Sequence, residues 1–162
     1  MQRMLEGYMA FVRGDAGERT VATDIGALIT EIDHELSRTG HHVDVQVADA
    51  TVAAIKPAAF KRCLANLIGN ARRQSEKVRV TAENADNRLT VIIDDDGPGI
   101  PRDKREDVFG PFVRLEGGRN QDSPGIGLGL TVARDIARSH GGDISLEDSP
   151  LGGLRARVTV PV

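Results

Sequence analysis

Four polar side chains recur along one predicted helix, and their types suit a phosphate group and its counter-cation. Arg62, Asn66, Asn70 and Arg73 follow one another at steps of four, four and three residues, so they form one stripe on a helix surface. Asparagine is a mediocre helix former, so two of them one turn apart indicate a role beyond helix formation. Amide oxygens are ligands for hard cations such as Mg²⁺, and guanidinium groups bind phosphate. A solvated helix face is the alternative interpretation.

Three adjacent carboxylates end a predicted strand and run into two glycines. Residues 89–93 are apolar or β-branched, and residues 94–96 are all aspartates. Gly97 and Gly99 permit backbone conformations or close approaches that are closed to other residues, as the wall of a pocket for a flat base requires. A buried carboxylate there can accept a hydrogen bond from an exocyclic amino group, and a mismatched base would leave it unpaired. A solvated acidic turn is the alternative.

A glycine run precedes another predicted helix. Gly125, Gly127 and Gly129 alternate with Ile and Leu over residues 125–130. Free amide groups and the positive end of the helix dipole bind phosphate at such an N-terminus. A dinucleotide-binding fingerprint requires a strand just before the glycines, and a P-loop ends in Gly-Lys-Ser/Thr; both are absent from this segment. We therefore expect Gly127 and Gly129 to form a phosphate loop with Gly125 as its hinge.

Helical periodicity predicts the elements that carry these groups. The predicted helices span residues 4–12, 24–38, 57–74 and 126–140, with Asp24 as a good cap of the second. The third helix has an apolar face beside the polar stripe, formed by Phe60, Leu64, Leu67, Ile68 and Ala71. Cys63 adjoins this face, which predicts a buried and inert thiol.

Alternating apolar residues predict a mixed sheet of about five strands. The segments with strand character are residues 43–47, 52–54, 78–82, 89–94, 144–146 and 154–160. Residues 84–87 are turn formers between two of them, which predicts a hairpin. Helices on one side of such a sheet make an α+β fold, a two-layer sandwich.

The composition bounds the class of protein. With 162 residues and 40% hydrophobic side chains, the chain can form one domain with its own core, and disorder is excluded. A formal charge of −3 without a basic block makes nucleic acid an unfavourable partner. One cysteine permits no internal disulfide. The sequence contains no apolar run near the roughly 18 residues that a membrane-spanning helix needs.

In this order the three motifs resemble the ATP-binding catalytic domain of sensor histidine kinases, within the superfamily that also holds DNA gyrase, Hsp90 and the mismatch-repair ATPases. The resemblance covers residues 24–162 and includes the phenylalanine box at residues 109–112. It implies the Bergerat ATP-binding fold, with residues 113–124 as a flexible lid. Gln74 stands where these kinases often have a Tyr or His beside the adenine, a loss of about 1 kcal/mol in binding.

The resemblance also assigns roles to individual residues. Asn70 would coordinate Mg²⁺, with Asn66 and Arg73 near the phosphates, and Asn70 and Arg73 would be the catalytic pair. Asp96, directly before the first glycine, would bind adenine, and its two neighbouring aspartates would have lesser roles. The other implied nucleotide contacts are Gly97, Gly99, Ile100, Phe112, Arg114, Gly125, Gly127, Leu128, Gly129 and Leu130.

The implied activity is transfer of the γ-phosphate of Mg-ATP to a histidine of a dimerisation and phosphotransfer domain. That acceptor is expected to be absent from this chain, with residues 1–17 its C-terminal remnant and linker, and residues 18–162 the catalytic domain. His34 lies in a faint match to the acceptor motif, but Ser37 is an insertion there and Gly40 replaces a proline. The whole protein is expected to be a homodimeric, membrane-anchored sensor with this part in the cytoplasm and a response regulator as indirect partner.

Three alternatives remain open. A serine kinase that inhibits a sigma factor has a similar pocket, and a gyrase- or Hsp90-like ATPase would need a further transducer domain. The third is a degenerate ATP-binding or interaction module without kinase activity, which Gln74 and the missing acceptor motivate.

Overall fold

The computed structural model describes residues 17–36, 43–48, 51–110 and 129–162, where three helices cover one face of a sheet. The helices are α1 (Ile25–Leu36), α2 (Pro57–Gln74) and α3 (Gly129–Ser139). The strands are β1 (Val21–Asp24), β2 (Asp44–Val47), β3 (Val52–Ile55), β4 (Val78–Ala85), β5 (Arg88–Asp95), β6 (Asp143–Asp148) and β7 (Leu154–Pro161). Two single 3-10 turns, Arg102–Lys104 and Asp107–Phe109, follow β5.

Five of the strands form the main sheet, in the order β2-β4-β5-β7-β6. β2 runs parallel to β4, and the remaining neighbours are antiparallel. The prediction of an α+β sandwich with a mixed, five-stranded sheet is therefore confirmed. The predicted helix over residues 4–12 lies outside the described residues.

A second, two-stranded sheet was not predicted. β1 pairs antiparallel with β3, with Val21 opposite Ile55 and Asp24 opposite Val52. β1 has only four residues and largely exposed side chains, so it lacks the alternation by which strands are recognised in a sequence. The pairing fastens the chain ahead of α1 to the strand that leads into α2.

The hairpin predicted between β4 and β5 is confirmed and is tighter than expected. Its two turn residues, Asp86 and Asn87, have φ values of 56° and 59°. A two-residue turn of this kind needs positive φ at both positions, which Asp and Asn tolerate better than other non-glycine residues. The turn sets the register that pairs Val78 with Asp95 at the other end of the hairpin.

The backbone amides in the first turns of α1 and α2 donate to acceptors from different parts of the chain. Asp24 caps α1 as predicted, since its Oδ1 accepts from the backbone nitrogen of Ala27 at 3.0 Å. α2 has no cap from its own N-cap residue, Lys56. Instead Glu18, from the segment before β1, accepts from the backbone nitrogens of Ala58 and Ala59 at 2.7 and 2.9 Å. A residue forty positions away thus satisfies free amides of the helix that carries the polar stripe.

One buried cluster joins the helices to the inner face of the sheet. Phe60, Leu64 and Ile68 of α2 are fully buried, as are Val91 of β5 and its inward-facing neighbours. Cys63 is buried as predicted, and burial raises the pKa of its thiol to about 12. None of the described helices is long and apolar enough to cross a bilayer.

Candidate nucleotide-binding site

A small cavity lies between α2, the end of β5 and the start of β7. Within the described part of the chain, two polar side chains, Asn70 and Asp95, face it. The described residues that line it are Leu67, Asn70, Ala71, Ile93, Asp95, Leu130, Leu146, Leu154 and Ala156. The cavity measures about 10 Å³, which is room for about one water molecule, so a larger ligand requires its walls to move. The carboxylate and the amide make it a site with specific polar contacts in an apolar surround.

Asp95 is the carboxylate in this cavity, and it is held by the backbone. It is only 4% exposed, and its Oδ1 accepts hydrogen bonds from the nitrogens of Gly97 at 2.9 Å and Leu154 at 3.0 Å. Burial raises the pKa of Asp95, and these two hydrogen bonds act in the opposite direction. A buried carboxyl group fixed by main-chain amides is pre-organised to accept a further donor from a ligand.

Asp96, to which the resemblance assigned the adenine contact, accepts hydrogen bonds from the backbone in this structure. Its Oδ1 accepts from the backbone nitrogens of Glu76 at 3.0 Å and Lys77 at 2.9 Å, and the Lys77 hydrogen bond is the main cause of its lowered pKa. Those amides belong to the connection between α2 and β4. Asp96 is not part of the cavity lining. Of these two neighbouring carboxylates, Asp95 therefore faces the cavity and Asp96 does not.

The alternation of side chains along β5 explains the difference. Leu89, Val91 and Ile93 are buried against the helices, and the next residue on that face is Asp95. Asp94 belongs to the opposite face and forms a bidentate ion pair with Arg155, at 2.8 and 3.0 Å. The signal was present in the sequence, because extending the alternating pattern by one step selects the second aspartate of the three.

The two glycines after the aspartates serve contacts within the protein, one through a close approach and one through its backbone conformation, and neither lines the cavity. A Cβ at Gly97 would lie 2.5 Å from the carbonyl oxygen of Gln74, so the tip of the strand packs against the end of α2. Gly99 has φ of +72°, in the left-handed region that favours glycine. Ile100, an expected nucleotide contact, is buried in the hydrophobic core and does not line the cavity.

The polar stripe of α2 meets the first turn of α3. Asn66 Nδ2 donates to the carbonyl oxygen of Gly129 at 3.3 Å, and Leu130 lines the cavity beside Asn70. The structure thus brings the polar stripe of α2 and the end of the glycine run together. Arg73 lies half-buried in the last turn of α2.

Phe109, the first residue of the phenylalanine box, is held against α3. Thr131 Oγ1 donates to the carbonyl oxygen of Phe109 at 2.7 Å, and the guanidinium of Arg134 lies 4.3 Å from the centre of the Phe109 ring. Phe112, Arg114, Gly125, Gly127 and Leu128, together with the lid expected at residues 113–124, lie outside the described residues.

The family model for "Histidine kinase-, DNA gyrase B-, and HSP90-like ATPase" matches residues 55–162, from the end of β3 to the last residue. The chain belongs to this ATPase family. The match contains both cavity-facing polar residues and every strand of the main sheet except β2.

Within this ATPase family the similar proteins are sensor histidine kinases. GtrS of Pseudomonas aeruginosa, a sensor histidine kinase, is 35% identical over 162 residues, which is 99% of this chain and 33% of GtrS. The chain therefore spans about a third of the length of that relative. The expected resemblance, to the catalytic ATP-binding domain of a histidine kinase, is confirmed.

Solved structures agree with this placement in the ATPase family. The ATP binding domain of PrrB from Mycobacterium tuberculosis has 29% identity and a TM-score of 0.70, over 88% of this chain and 96% of that one. The histidine kinase domain of the E. coli osmosensor EnvZ has 29% identity and a TM-score of 0.67, over 89% of both chains.

The residues present suit the ligand that an ATPase domain implies. In the described ranges no group of three or more His, Cys, Asp and Glu could hold a metal ion. Mg²⁺ in phosphoryl-transfer enzymes needs few protein ligands, because it keeps several waters and binds the substrate phosphates. One amide oxygen at Asn70, in a cavity where Asp95 is the one carboxylate among the described lining residues, is compatible with that mode of binding.

Proposed function

We propose that this chain binds Mg-ATP in the cavity between α2, β5 and β7, and that the whole protein transfers the γ-phosphate to a histidine. The observation that mainly supports this proposal is that Asp95 and Asn70, from separate elements, face one cavity in a domain of the ATPase family. The acceptor would be a dimerisation and phosphotransfer domain of the same kinase, with a response regulator as the next recipient. The relatives' names support this role, since they are sensor histidine kinases.

Asp95 is the base-binding acid in this proposal. Its carboxylate accepts a hydrogen bond from the exocyclic amino group of adenine, and the apolar side chains of Leu67, Ile93 and Leu154 cover the ring. A base without a donor at that position would leave a buried charge without its partner, which is costly. Because the cavity is small before ligand enters, Leu130 at its rim must shift to admit the base.

In this proposal Asn70 would supply an oxygen ligand to Mg²⁺, and the amides at the start of α3 would bind the phosphates. Asn66 fixes the distance between the two helices through its bond to Gly129. Mg²⁺ held there would supply positive charge that offsets the charge of the phosphates. Arg73 and the glycines of residues 125–129 are proposed to do the same from the protein side. The phosphorus–nitrogen bond to the histidine forms as the phosphorus–oxygen bond to ADP breaks, and the base that receives the proton belongs to the acceptor domain.

We also propose that the catalytic unit begins at residue 18, as the sequence suggested. Glu18 caps α2, and the adjoining strand β1 is paired with β3, so the chain from Glu18 onward is bound to the domain. Residues 1–17 would then be the C-terminal remnant of the dimerisation and phosphotransfer helix together with its linker. We place this unit in the cytoplasm, where sensor kinases obtain ATP.

Calorimetric titration with ATP and Mg²⁺ tests the site. We expect micromolar to sub-millimolar binding by the wild-type chain, at least tenfold weaker binding by Asp95→Asn, and loss of the Mg²⁺ dependence in Asn70→Ala. Asp96→Asn is the matched control, because it is the same substitution one residue away and outside the cavity. Equal loss in the Asp95 and Asp96 variants, or no binding by the wild type, would contradict the proposal.

Phosphotransfer tests the kinase role. A histidine-bearing dimerisation domain from a similar sensor kinase is mixed with the chain and labelled ATP, and acid-labile phosphate is expected on its histidine. Bound ATP without transfer to any histidine would favour the degenerate module. A phosphoserine on a partner protein would favour the serine kinase.

A further inference from the structure

The turn between β6 and β7 contacts Asp95 through its backbone. The nitrogen of Gly153 donates to the carbonyl oxygen of Asp95 at 3.1 Å, and the nitrogen of Leu154 donates to its Oδ1 at 3.0 Å. The turn is itself braced, because Ser149 receives a hydrogen bond from Gly152 and donates one to Gly153. A segment nearly sixty residues from Asp95 in sequence therefore fixes both the main chain and the carboxylate of that residue.

Gly153 is in a position where no other residue fits. A Cβ there would lie 2.2 Å from Asp95 Oδ1, 2.5 Å from the nitrogen of Gly97 and 2.7 Å from the Asp95 carbonyl oxygen. Two of those atoms are main-chain atoms, and the third belongs to a carboxylate fixed by two hydrogen bonds, so the clash cannot be relieved cheaply. Gly152, one residue earlier, has φ of +105° but no heavy atom within 4 Å of a Cβ.

The turn also decides which oxygen of Asp95 remains available. Both hydrogen bonds from described residues to this carboxylate, those of Gly97 and Leu154, end on Oδ1. An ionised carboxylate oxygen accepts about two such bonds, so Oδ2 is left as the acceptor for a ligand. With one oxygen fixed, the carboxylate can rotate little, and the remaining one accepts from a narrow range of directions.

We propose that the β6–β7 turn is the specificity device of the site, with Gly153 as a positioning residue that aims Asp95 Oδ2 at an exocyclic amino donor. The inference rests on the proposed function, because it specifies how that cavity selects adenine among purines. Substitution at Gly153 is expected to turn the carboxylate away and remove the preference for the amino group. Affinity for the triphosphate, which the other end of the site binds, is expected to survive.

The test compares ATP with purine riboside 5′-triphosphate, which lacks only the exocyclic amino group. The wild-type chain should prefer ATP by about tenfold or more, the value of one hydrogen bond to a charged group. Gly153→Ala should reduce that preference to about twofold or less. Gly152→Ala is the control, since it strains the same turn without touching Asp95, and it should keep the wild-type preference.

A double-mutant cycle with Asp95→Asn separates positioning from general damage. If Gly153 acts through Asp95, Gly153→Ala should cause no further loss of preference in the Asp95→Asn background. Independent, additive losses would overturn the inference. Absence of ATP binding by the wild type would instead contradict the proposed function, so the two failures are distinct.

If Gly153→Ala does not fold, amide NMR of the wild-type chain tests the same inference. The Leu154 and Gly97 resonances should both shift when ATP binds and should follow one titration as Asp95 is protonated. Purine riboside triphosphate should shift the Leu154 amide much less than ATP does. A Leu154 amide that responds to neither ATP nor pH would overturn the inference.

Discussion

The carboxylates of Asp94 and Asp95 are one residue apart in β5 and bind on opposite faces of the sheet. Asp94 is paired with Arg155 at 2.8 Å, and Asp95 accepts from the backbone nitrogen of Leu154 at 3.0 Å. They are 2% and 4% exposed, so each needs its own partner. Substitutions at the two positions should consequently affect different properties, stability at Asp94 and ligand binding at Asp95.

Arg155→Met should destabilise the domain strongly. It removes the partner of a carboxylate that is almost fully buried, and breaking such a pair costs about 3 kcal/mol or more. The free energy of unfolding by urea denaturation measures this. Adding Asp94→Asn should restore part of the loss, because the buried charge is then removed as well.

Arg157→Met is the matched control for that experiment. Arg157 lies two residues further along β7 and pairs with Glu147 at 2.8 Å, but both side chains are more than a third exposed. Solvent-exposed pairs contribute about 1 kcal/mol or less. Equal losses in the two arginine variants would mean that the burial of Asp94 does not decide the effect.

Asp95→Asn should bind ATP poorly and yet be at least as stable as the wild type at neutral pH. Burial raises the pKa of Asp95 in the folded state. The stability that this group contributes is therefore full below the ordinary aspartate value of 3.8 and is lost as the pH rises through the raised value. The asparagine variant lacks that loss.

Melting temperatures of both proteins across pH 4.5 to 7.5 test the sign. The difference in favour of Asp95→Asn should grow toward neutral pH and then level off. Asp96→Asn should have the opposite sign, because the folded-state pKa of Asp96 is lowered and its contribution is full above the ordinary value of 3.8. This variant should be less stable than the wild type by a nearly constant amount across the same pH range. An Asp95→Asn variant that loses stability relative to the wild type as the pH rises would contradict the argument.

Glu18→Ala should lower the free energy of unfolding by about 1 kcal/mol, the usual effect of losing a helix cap. The carboxylate holds two amides in the first turn of α2, at 2.7 and 2.9 Å. Glu83→Ala, which removes an exposed glutamate of β4, is the control and should stay within about 0.5 kcal/mol of the wild type. Urea denaturation of both variants gives the comparison.

Cys63 should resist thiol reagents while the domain is folded. Its thiol is fully buried, donates to the carbonyl oxygen of Ala133 at 3.4 Å, and has a pKa of about 12 because of its burial. A disulfide exchange reagent at pH 8 should therefore modify it at a rate that rises with urea in proportion to unfolding. Rapid modification in the absence of urea would show that the α2–α3 contact opens locally.

The sequence by itself determined the elements whose signals are local. α2 has the predicted bounds, Pro57–Gln74, because its apolar face repeats at helical spacing and Pro57 begins it. The Asp24 cap and the β4–β5 hairpin are likewise set by a few adjacent residues. The order of the motifs was also sufficient to identify the family, because each motif is a local pattern of particular residue types at fixed spacing.

Only the tertiary structure decided the contacts between segments that are distant in sequence. The pairing of β1 with β3, the Glu18 cap on α2, and the approach of Gly153 to Asp95 each join residues that are at least 28 positions apart. No local pattern records these contacts, because they depend on how the sheet and helices pack. The position of Asp95 depends on both kinds of information. Alternation along β5 indicates from the sequence that Asp95 is on the buried face. Its burial beside Asn70 depends on the tertiary packing of the β4–β5 hairpin, α2 and the β6–β7 turn.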